Sequence, residues 1–463
     1  MREIGLLGLG AMGRNLALNF VDQGTKVVAW DKAPQAGREL HAGVQRCESL
    51  NAVVDQLSPP RCIVLMVPAG GPVDDVLEQL LERLDSGDCV VDAGNSLFSE
   101  TRRRSERARP SGVHFVGLGV SGGPSGARQG PSMMFGGPEG AWRSLRPLLE
   151  ASAAEGPLGP CVARLGDDGA GHFVKMVHNG IEYADMQLLA EITDLLGDAL
   201  EMSYAQIADL FEHWQSGEHQ SFLLEITIRI LRTRAPDGER LLDHVADRAG
   251  QKGTGRWTVA TALELGVPVP AIAAAVDARA LSGRSANRDG LRAQAGRLTT
   301  TNRLSLRRLD SAALLARLAI YAQGLQLMQA GAAEYGWPFA QSEPLRLWTA
   351  GCIIRAELLQ TALAALDDEP DAENLLFTAM LRERVGRALP DLAHVVRHAA
   401  ANGVPTPVLS STLGWLQTAT RERLPQHLIA AQRDAFGQHG YRRRDGTASA
   451  HADGLHRDGW SGN

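Results

Sequence analysis

Lysine is nearly missing from this 463-residue chain: of 47 basic residues only Lys26, Lys32, Lys175 and Lys252 are lysines, which leaves 43 arginines. An Arg side chain stays protonated at any working pH, so a position that keeps Lys against such a bias raises the question of whether it needs an amine that can become neutral. Cysteine is also sparse. Cys47, Cys62, Cys89, Cys161 and Cys352 form no CxxC pair and no Cys/His group with zinc spacing. That set excludes a disulfide framework, predicts no metal site, and fits the reduced thiols of a cytoplasmic protein. No apolar run reaches the roughly 18 residues of a membrane span. The opening MREIGLLGLGAMG lacks a basic segment ahead of its apolar run, which breaks at Gly8, so no signal peptide is expected. A net charge of -6 argues against nucleic-acid binding by bulk positive charge.

What remains is an ordinary globular composition, 44% hydrophobic and 22% charged, with length for roughly three domains of about 150 residues. Short apolar runs at 4–7, 26–30, 62–67, 89–92 and 113–117 alternate with helical spacing at 15–22, 73–84 and 99–108. This rhythm predicts an α/β domain with a doubly wound parallel sheet of Rossmann type over residues 1–168. From 169 to 434 long Leu/Ala/Glu/Arg segments (171–201, 263–281, 311–335, 376–402) predict a large all-α domain. Residues 435–463 lack apolar periodicity and read as a C-terminal tail that frays or docks on another surface.

Gly8-Leu9-Gly10-Ala11-Met12-Gly13 follows the first strand and opens a helix. Glycines there allow a tight turn and let backbone N–H groups approach a pyrophosphate at the positive helix end. Asp31 stands 18 residues past Gly13, at the end of the second strand, where a carboxylate suits the 2′-hydroxyl of an adenosine ribose. Asp31 would repel the 2′-phosphate of NADP and so favours NAD, whereas Lys32 beside it could pair with that phosphate. The expectation is NAD preferred, with NADP possible.

The segment 169–183, GAGHFVKMVHNGIEY, holds one of the four lysines. On a helix Lys175, Asn179, Glu182 and Tyr183 share a face. The same spacing suits a surface salt-bridge row. However, Phe173, Val174, Met176, Val177 and Ile181 are apolar, and a polar stripe on a buried helix points to a pocket where pKa values move.

With these blocks in view, the chain resembles the decarboxylating 6-phosphogluconate dehydrogenases over nearly its whole length. The resemblance rests on GLGAMGRNLALN at the start, DAGNS (92–96), GLGVSGGPSGARQGPSMM (117–134) and GDDGAGHFVKMVHNGIEYADMQL (166–188). It continues through AGQKGTGRWT (249–258), AGCIIRAELL (350–359) and QRDAFGQHGY (432–441). It implies that Lys175 is the general base, that Glu182 is the acid that protonates C1, and that Asn179 joins them. It further implies that Asn95, Ser121, Gly122, Gly123, His178 and Tyr183 contact the substrate 6-phosphogluconate, and that Lys252, Thr254 and Arg279 hold its phosphate. Arg433 and His439 would reach the phosphate in the neighbouring subunit of a homodimer. Val67 and Asn95 would join the 8–13 turn, Asp31 and Lys32 at the cofactor.

The chain departs from the resemblance at Asp31-Lys32-Ala33, where the relatives commonly carry Asn-Arg-Ser/Thr, and at Pro68, where they often carry Lys. The Arg-rich stretch 283–310 matches weakly, and extra residues lie between Arg442 and Trp460. Two other readings stand beside the main one: oxidation of a β-hydroxyacid without decarboxylation, and a sugar-phosphate or dinucleotide-binding protein without catalysis. The first class typically has shorter chains and no need of the phosphate set; the second would not need Lys175 and Glu182.

Overall fold

The computed structural model describes residues 3–37, 40, 43–284, 304–447, 449, 451, 453–457 and 460; most of the weakly matched 283–310 stretch lies outside the described residues. Its first part builds one eight-stranded sheet. The strands are β1 (Glu3–Leu7), β2 (Lys26–Trp30), β3 (Val44–Arg46), β4 (Cys62–Leu65), β5 (Cys89–Asp92), β6 (His114–Ser121), β7 (Ser132–Gly136) and, after a two-stranded β8 (Glu155–Gly156) and β9 (Gly159–Pro160), β10 (Val162–Gly166). Their order is β10-β7-β6-β5-β4-β1-β2-β3. The helices α1 (Ala11–Asp22), α2 (Leu50–Asp55), α3 (Gly71–Leu81), α4 (Phe98–Ala108), α5 (Gly123–Gln129) and α6 (Glu139–Ser152) connect them. Side chains on both faces of the central strands are buried: Ile4 and Leu6 join one apolar cluster with α1 and α6, and Leu7 and Ile63 join another with α2 and α3. Two-sided burial is why these strands read as continuous apolar runs.

Two departures from the sequence expectations concern this sheet. It is mixed, because β7 runs antiparallel to β6, with Ser121 opposite Ser132. The link between them is the short α5 at one end of the sheet, and antiparallel neighbours need no crossover. Strand β6 also continues to Ser121, four residues past the run read at 113–117, because its alternating glycines hide the apolar pattern.

The helical part begins with α7 (Ala170–Leu200), followed by α8 (Tyr204–Gln215), α9 (Phe222–Arg232), α10 (Thr254–Glu264), α11 (Pro270–Ser282), α12 (Leu306–Tyr335), α13 (Ser342–Leu347), α14 (Leu358–Asp368), α15 (Ala379–Ala401), α16 (Pro407–Thr420) and α17 (Gln426–Gly437). The expected helix at 263–281 is two helices. Pro268 falls between α10 and α11 and Pro270 opens α11; each removes a backbone donor and disfavours helix at the residue before it.

Helix α7 packs on β6, β7 and β10 and also on α10, α11 and α12. Strand-rich and helical parts therefore belong to one compact unit that ends at Leu413, and Gly414–Asn463 forms a second. In the second unit α17 runs through the 434/435 position to Gly437, so the first residues read as tail are helical. Asp434 is buried there and accepts hydrogen bonds from the Gly440 N–H (3.0 Å) and the Trp460 indole (2.8 Å).

Candidate active site

The dinucleotide turn is assembled by β1, the start of α1 and the end of β2. Gly8 has φ 101° and donates its N–H to Trp30 O at 2.9 Å. A Cβ on Gly13 would lie 2.0 Å from Gly8 O, so only glycine permits this approach of helix to turn. Gly10 is the N-cap of α1 and supplies no side chain to its first-turn N–H groups; a Cβ there would meet nothing within 4 Å. Open space in front of uncapped N–H groups fits a pyrophosphate. Asp31 holds the turn from behind: its Oδ2 accepts the Leu9 N–H at 2.6 Å and its Oδ1 the Ala33 N–H at 2.7 Å. Leu9 is buried, Ala11 and Lys32 are exposed, and Met12 and Val67 are half-buried around the same crevice; Pro68 is exposed in the loop after β4.

The DAGNS loop leaves β5 at the same end of the sheet. Asp92 accepts from the Ser96 hydroxyl at 2.6 Å and the Gly94 N–H at 3.1 Å, which presents Asn95 to solvent. The fully buried Arg104 braces this region. It grips both Asp74 oxygens at 2.9 Å, donates to Gly70 O at 3.0 Å, and comes within 3.9 Å of Asp92. Those hydrogen bonds hold the Asp74 carboxyl well below the usual carboxylate range.

Beyond these loops lies the N-terminal half of α7. Asp168 accepts the Gly169 N–H, the Trp337 indole (3.1 Å) and Arg102 Nε (3.1 Å) just ahead of the helix. The helix then enters the compact unit, where Lys175 is 6% exposed and His178 fully buried. Burial lowers the Lys175 pKa from 10.5 to about 8, with the Glu182 charge opposing. Lys175 Nζ lies 3.2 Å from His178 Nδ1, which is 3.1 Å from Asn179 Oδ1; His178 Nε2 lies 3.0 Å from Ser121 Oγ at the end of β6. Burial, then the Lys175 charge, push the His178 pKa well down, so its ring is neutral. Glu182 Oε2 stands 3.8 Å from His178 Nδ1. Burial raises its pKa, against the pull of Lys175 and Arg279. A buried amine with a lowered pKa near a carboxyl with a raised one can serve as a base paired with an acid.

Backbone geometry allows this close packing. Gly119 on β6 passes so close to α7 that a Cβ would lie 2.5 Å from Lys175 Cβ. Gly122 has φ 120° and caps α5, and with Gly123 it forms the turn after Ser121. The 348–354 segment also packs here: Trp348 lies edge-on to His178 at 5.5 Å, buried Cys352 donates to Trp348 O at 3.2 Å, and Tyr321 donates to Ile354 O at 2.7 Å. Gly119 and Cys352 near Lys175, and Trp348 against His178, carried no role in the sequence reading, although the last two lie in or beside the quoted AGCIIR block.

A second polar group lies one turn further along α7. The Arg279 guanidinium sits over the Tyr183 ring at 3.6 Å and reaches Gly250 O at 3.5 Å. Gly253 has φ 105° and is the N-cap of α10, whose first residue is the buried Thr254; Lys252 beside it is exposed. Thr258 donates to Met176 O at 2.8 Å and ties α10 to α7. The structure thus brings together Ser121, Lys175, His178 and Asn179, places Glu182 beside them, and joins Tyr183 with Arg279. Arg433 and His439 are exposed on the second unit. Among the described residues no group of three or more His, Cys, Asp or Glu could hold a metal ion, and no helix is long and apolar enough to cross a membrane.

The arrangement has close counterparts among known proteins. The family model for the NAD binding domain of 6-phosphogluconate dehydrogenase matches residues 3–166, and that for the 6-phosphogluconate dehydrogenase C-terminal domain matches 171–454. The chain is 41% identical to the decarboxylating 6-phosphogluconate dehydrogenase of Synechococcus elongatus, over 98% of this chain and 99% of the relative. It is 39% identical to decarboxylating 6-phosphogluconate dehydrogenase 2 of Saccharomyces cerevisiae, over 97% and 94%. In three dimensions it resembles Plasmodium falciparum 6-phosphogluconate dehydrogenase, with a TM-score of 0.92 and 33% identity, over 97% of this chain and 99% of that one. That protein is described in its apo form, with NADP+ and with 6-phosphogluconate. From sequence blocks, fold and site geometry together, the chain belongs to the 6-phosphogluconate dehydrogenase family.

Proposed function

We propose that the chain oxidises and decarboxylates 6-phospho-D-gluconate to D-ribulose 5-phosphate and CO2, with NAD preferred over NADP. The observation that carries this reading is Lys175, buried on α7 with a pKa near 8, beside Glu182 and the Ser121–His178 pair. Neutral Lys175 takes the proton of the substrate 3-hydroxyl. A nicotinamide bound at the 8–13 turn would supply the hydride acceptor for C3. The product is a 3-keto acid, whose carbonyl receives the electron pair of the C1–C2 bond as CO2 leaves. Protonated Lys175 then stabilises the oxygen of the resulting enediol, and Glu182 delivers a proton to the carbon that lost CO2. Asn179 and His178 hold the base in place, and Ser121 with Gly122 and Gly123 faces the carboxylate end. Asn95, exposed on the DAGNS loop, would contact both cofactor and substrate.

The phosphate end falls to Tyr183, Arg279, Thr254 and Lys252, with the N–H groups of α10 behind them. Arg433 and His439 complete that site in a second copy of the chain, which makes the working enzyme a homodimer. NAD preference rests on Asp31, a carboxylate at the end of β2 that would repel a 2′-phosphate.

The test is stoichiometry. With 6-phosphogluconate the protein should release one CO2 per reduced cofactor and turn over faster with NAD than with NADP. Reduction without CO2 would support the non-decarboxylating reading instead, and a large NADP advantage would remove the NAD preference.

A further inference from the structure

Strand β3 ends at the same edge of the sheet as the dinucleotide turn. It pairs in parallel with β2, with Arg46 opposite Ala29, so Leu7, Trp30 and Arg46 are the last residues of three neighbouring parallel strands. Cofactors bind outside the carboxyl ends of such strands. Arg46 is exposed and crosses to the loop that follows β2, where it donates one hydrogen bond to Pro34 O at 3.2 Å. It forms no ion pair with any carboxylate among the described residues, and neither does the exposed Lys32. Elsewhere on the strand-rich part Arg61, Arg83, Arg103 and Arg128 each pair with a carboxylate. Asp31, the carboxylate of that loop among the described residues, is already engaged, since it spends an oxygen on each of two backbone N–H groups.

We propose that Arg46, assisted by Lys32, receives the 2′-phosphate of NADP, so that the chain keeps real affinity for NADP in spite of Asp31. The bond to Pro34 O uses one of five guanidinium N–H donors and fixes the plane of the fork; the others remain for phosphate oxygens. Lys32 contributes a second, more mobile charge. Asp31 lowers NADP affinity without abolishing it, and the balance of the three side chains sets the ratio of the two cofactors. This rests on the reading of the 8–13 turn as a dinucleotide site.

The probes are adenosine 2′,5′-bisphosphate and AMP, which differ by the 2′-phosphate, with binding measured by titration calorimetry. A charged hydrogen bond contributes about 1.5–3 kcal/mol, so Arg46→Ala should weaken the bisphosphate roughly 10- to 100-fold and leave AMP within about twofold. Arg46→Lys should recover part of the loss, and Lys32→Ala should cost less than Arg46→Ala. In turnover, KM for NADP should rise in Arg46→Ala with that for NAD unchanged. Equal effects on both probes, or none, would overturn the proposal and leave the dinucleotide site standing. If the unaltered protein bound neither probe, the site reading would fall and the role of Arg46 with it.

Discussion

Replacing Gly119 by Ala tests whether the position of Lys175 is set by the strand beneath it. A Cβ at 119 would lie 2.5 Å from Lys175 Cβ, 3.1 Å from Lys175 Cγ and 2.9 Å from Gly171 O, against an ordinary contact of 3.4–4 Å. Neither a backbone carbonyl nor the first carbon of a side chain can swing aside, so β6 and α7 must part by about 1 Å. Displacement of that size in a catalytic group costs on the order of 100-fold in rate, and overpacking costs about 1–3 kcal/mol of stability. Turnover with 6-phosphogluconate and urea unfolding should show both losses in Gly119→Ala. Gly197→Ala is the control on the same helix. A Cβ at 197 meets nothing within 4 Å, so turnover should hold and stability should gain up to about 1 kcal/mol from helix propensity. Turnover of Gly119→Ala within about threefold of the parent would refute the reasoning.

The pH profile follows from the same lysine. With its pKa at about 8, roughly a quarter of Lys175 is neutral at pH 7.5, against about one part in a thousand at the ordinary value. Because the base acts unprotonated, kcat/KM should fall about tenfold per pH unit on the acid side of about 8; a flat profile between pH 6 and 8 would contradict this. The buried pair of Asp185 on α7 and Arg317 on α12, 2.8 Å apart, predicts that Asp185→Asn loses about 3–5 kcal/mol in urea unfolding, since Arg317 is left uncompensated. A chain ending at residue 430 lacks Arg433 and His439 and should bind 6-phosphogluconate at least about tenfold more weakly while keeping its affinity for NAD. Unchanged substrate affinity would refute the shared site.

Much of this architecture is readable in the sequence because burial on both faces writes β1, β2, β4 and β5 as plain apolar runs, and because α7 keeps a polar stripe among apolar neighbours. Strands β3, β7 and β10 escaped: β3 is three residues long at an edge, and β7 and β10 lie among glycines and mixed residues. The antiparallel turn at Ser121 is invisible locally, because direction depends on where the chain returns. Within the site, residue types at helical spacing indicate Lys175, Asn179 and Glu182. The closeness of Gly119 and the edge-on packing of Trp348 arise between segments far apart in the chain, which periodicity does not report. Arg46 was masked by abundance, one arginine among 43. The rarity of lysine worked the other way and singled out Lys175.

The role of Lys175 as a base that must be able to become neutral is tested most directly by turnover of Lys175→Arg. Arginine keeps the charge and much of the length but cannot be neutral near pH 7. In Lys175→Arg 6-phosphogluconate should still bind while reduced cofactor and CO2 both form at least about 1,000-fold more slowly, in line with the loss of a general base and of its part in stabilising the enediol. Near-normal turnover in Lys175→Arg would contradict that role.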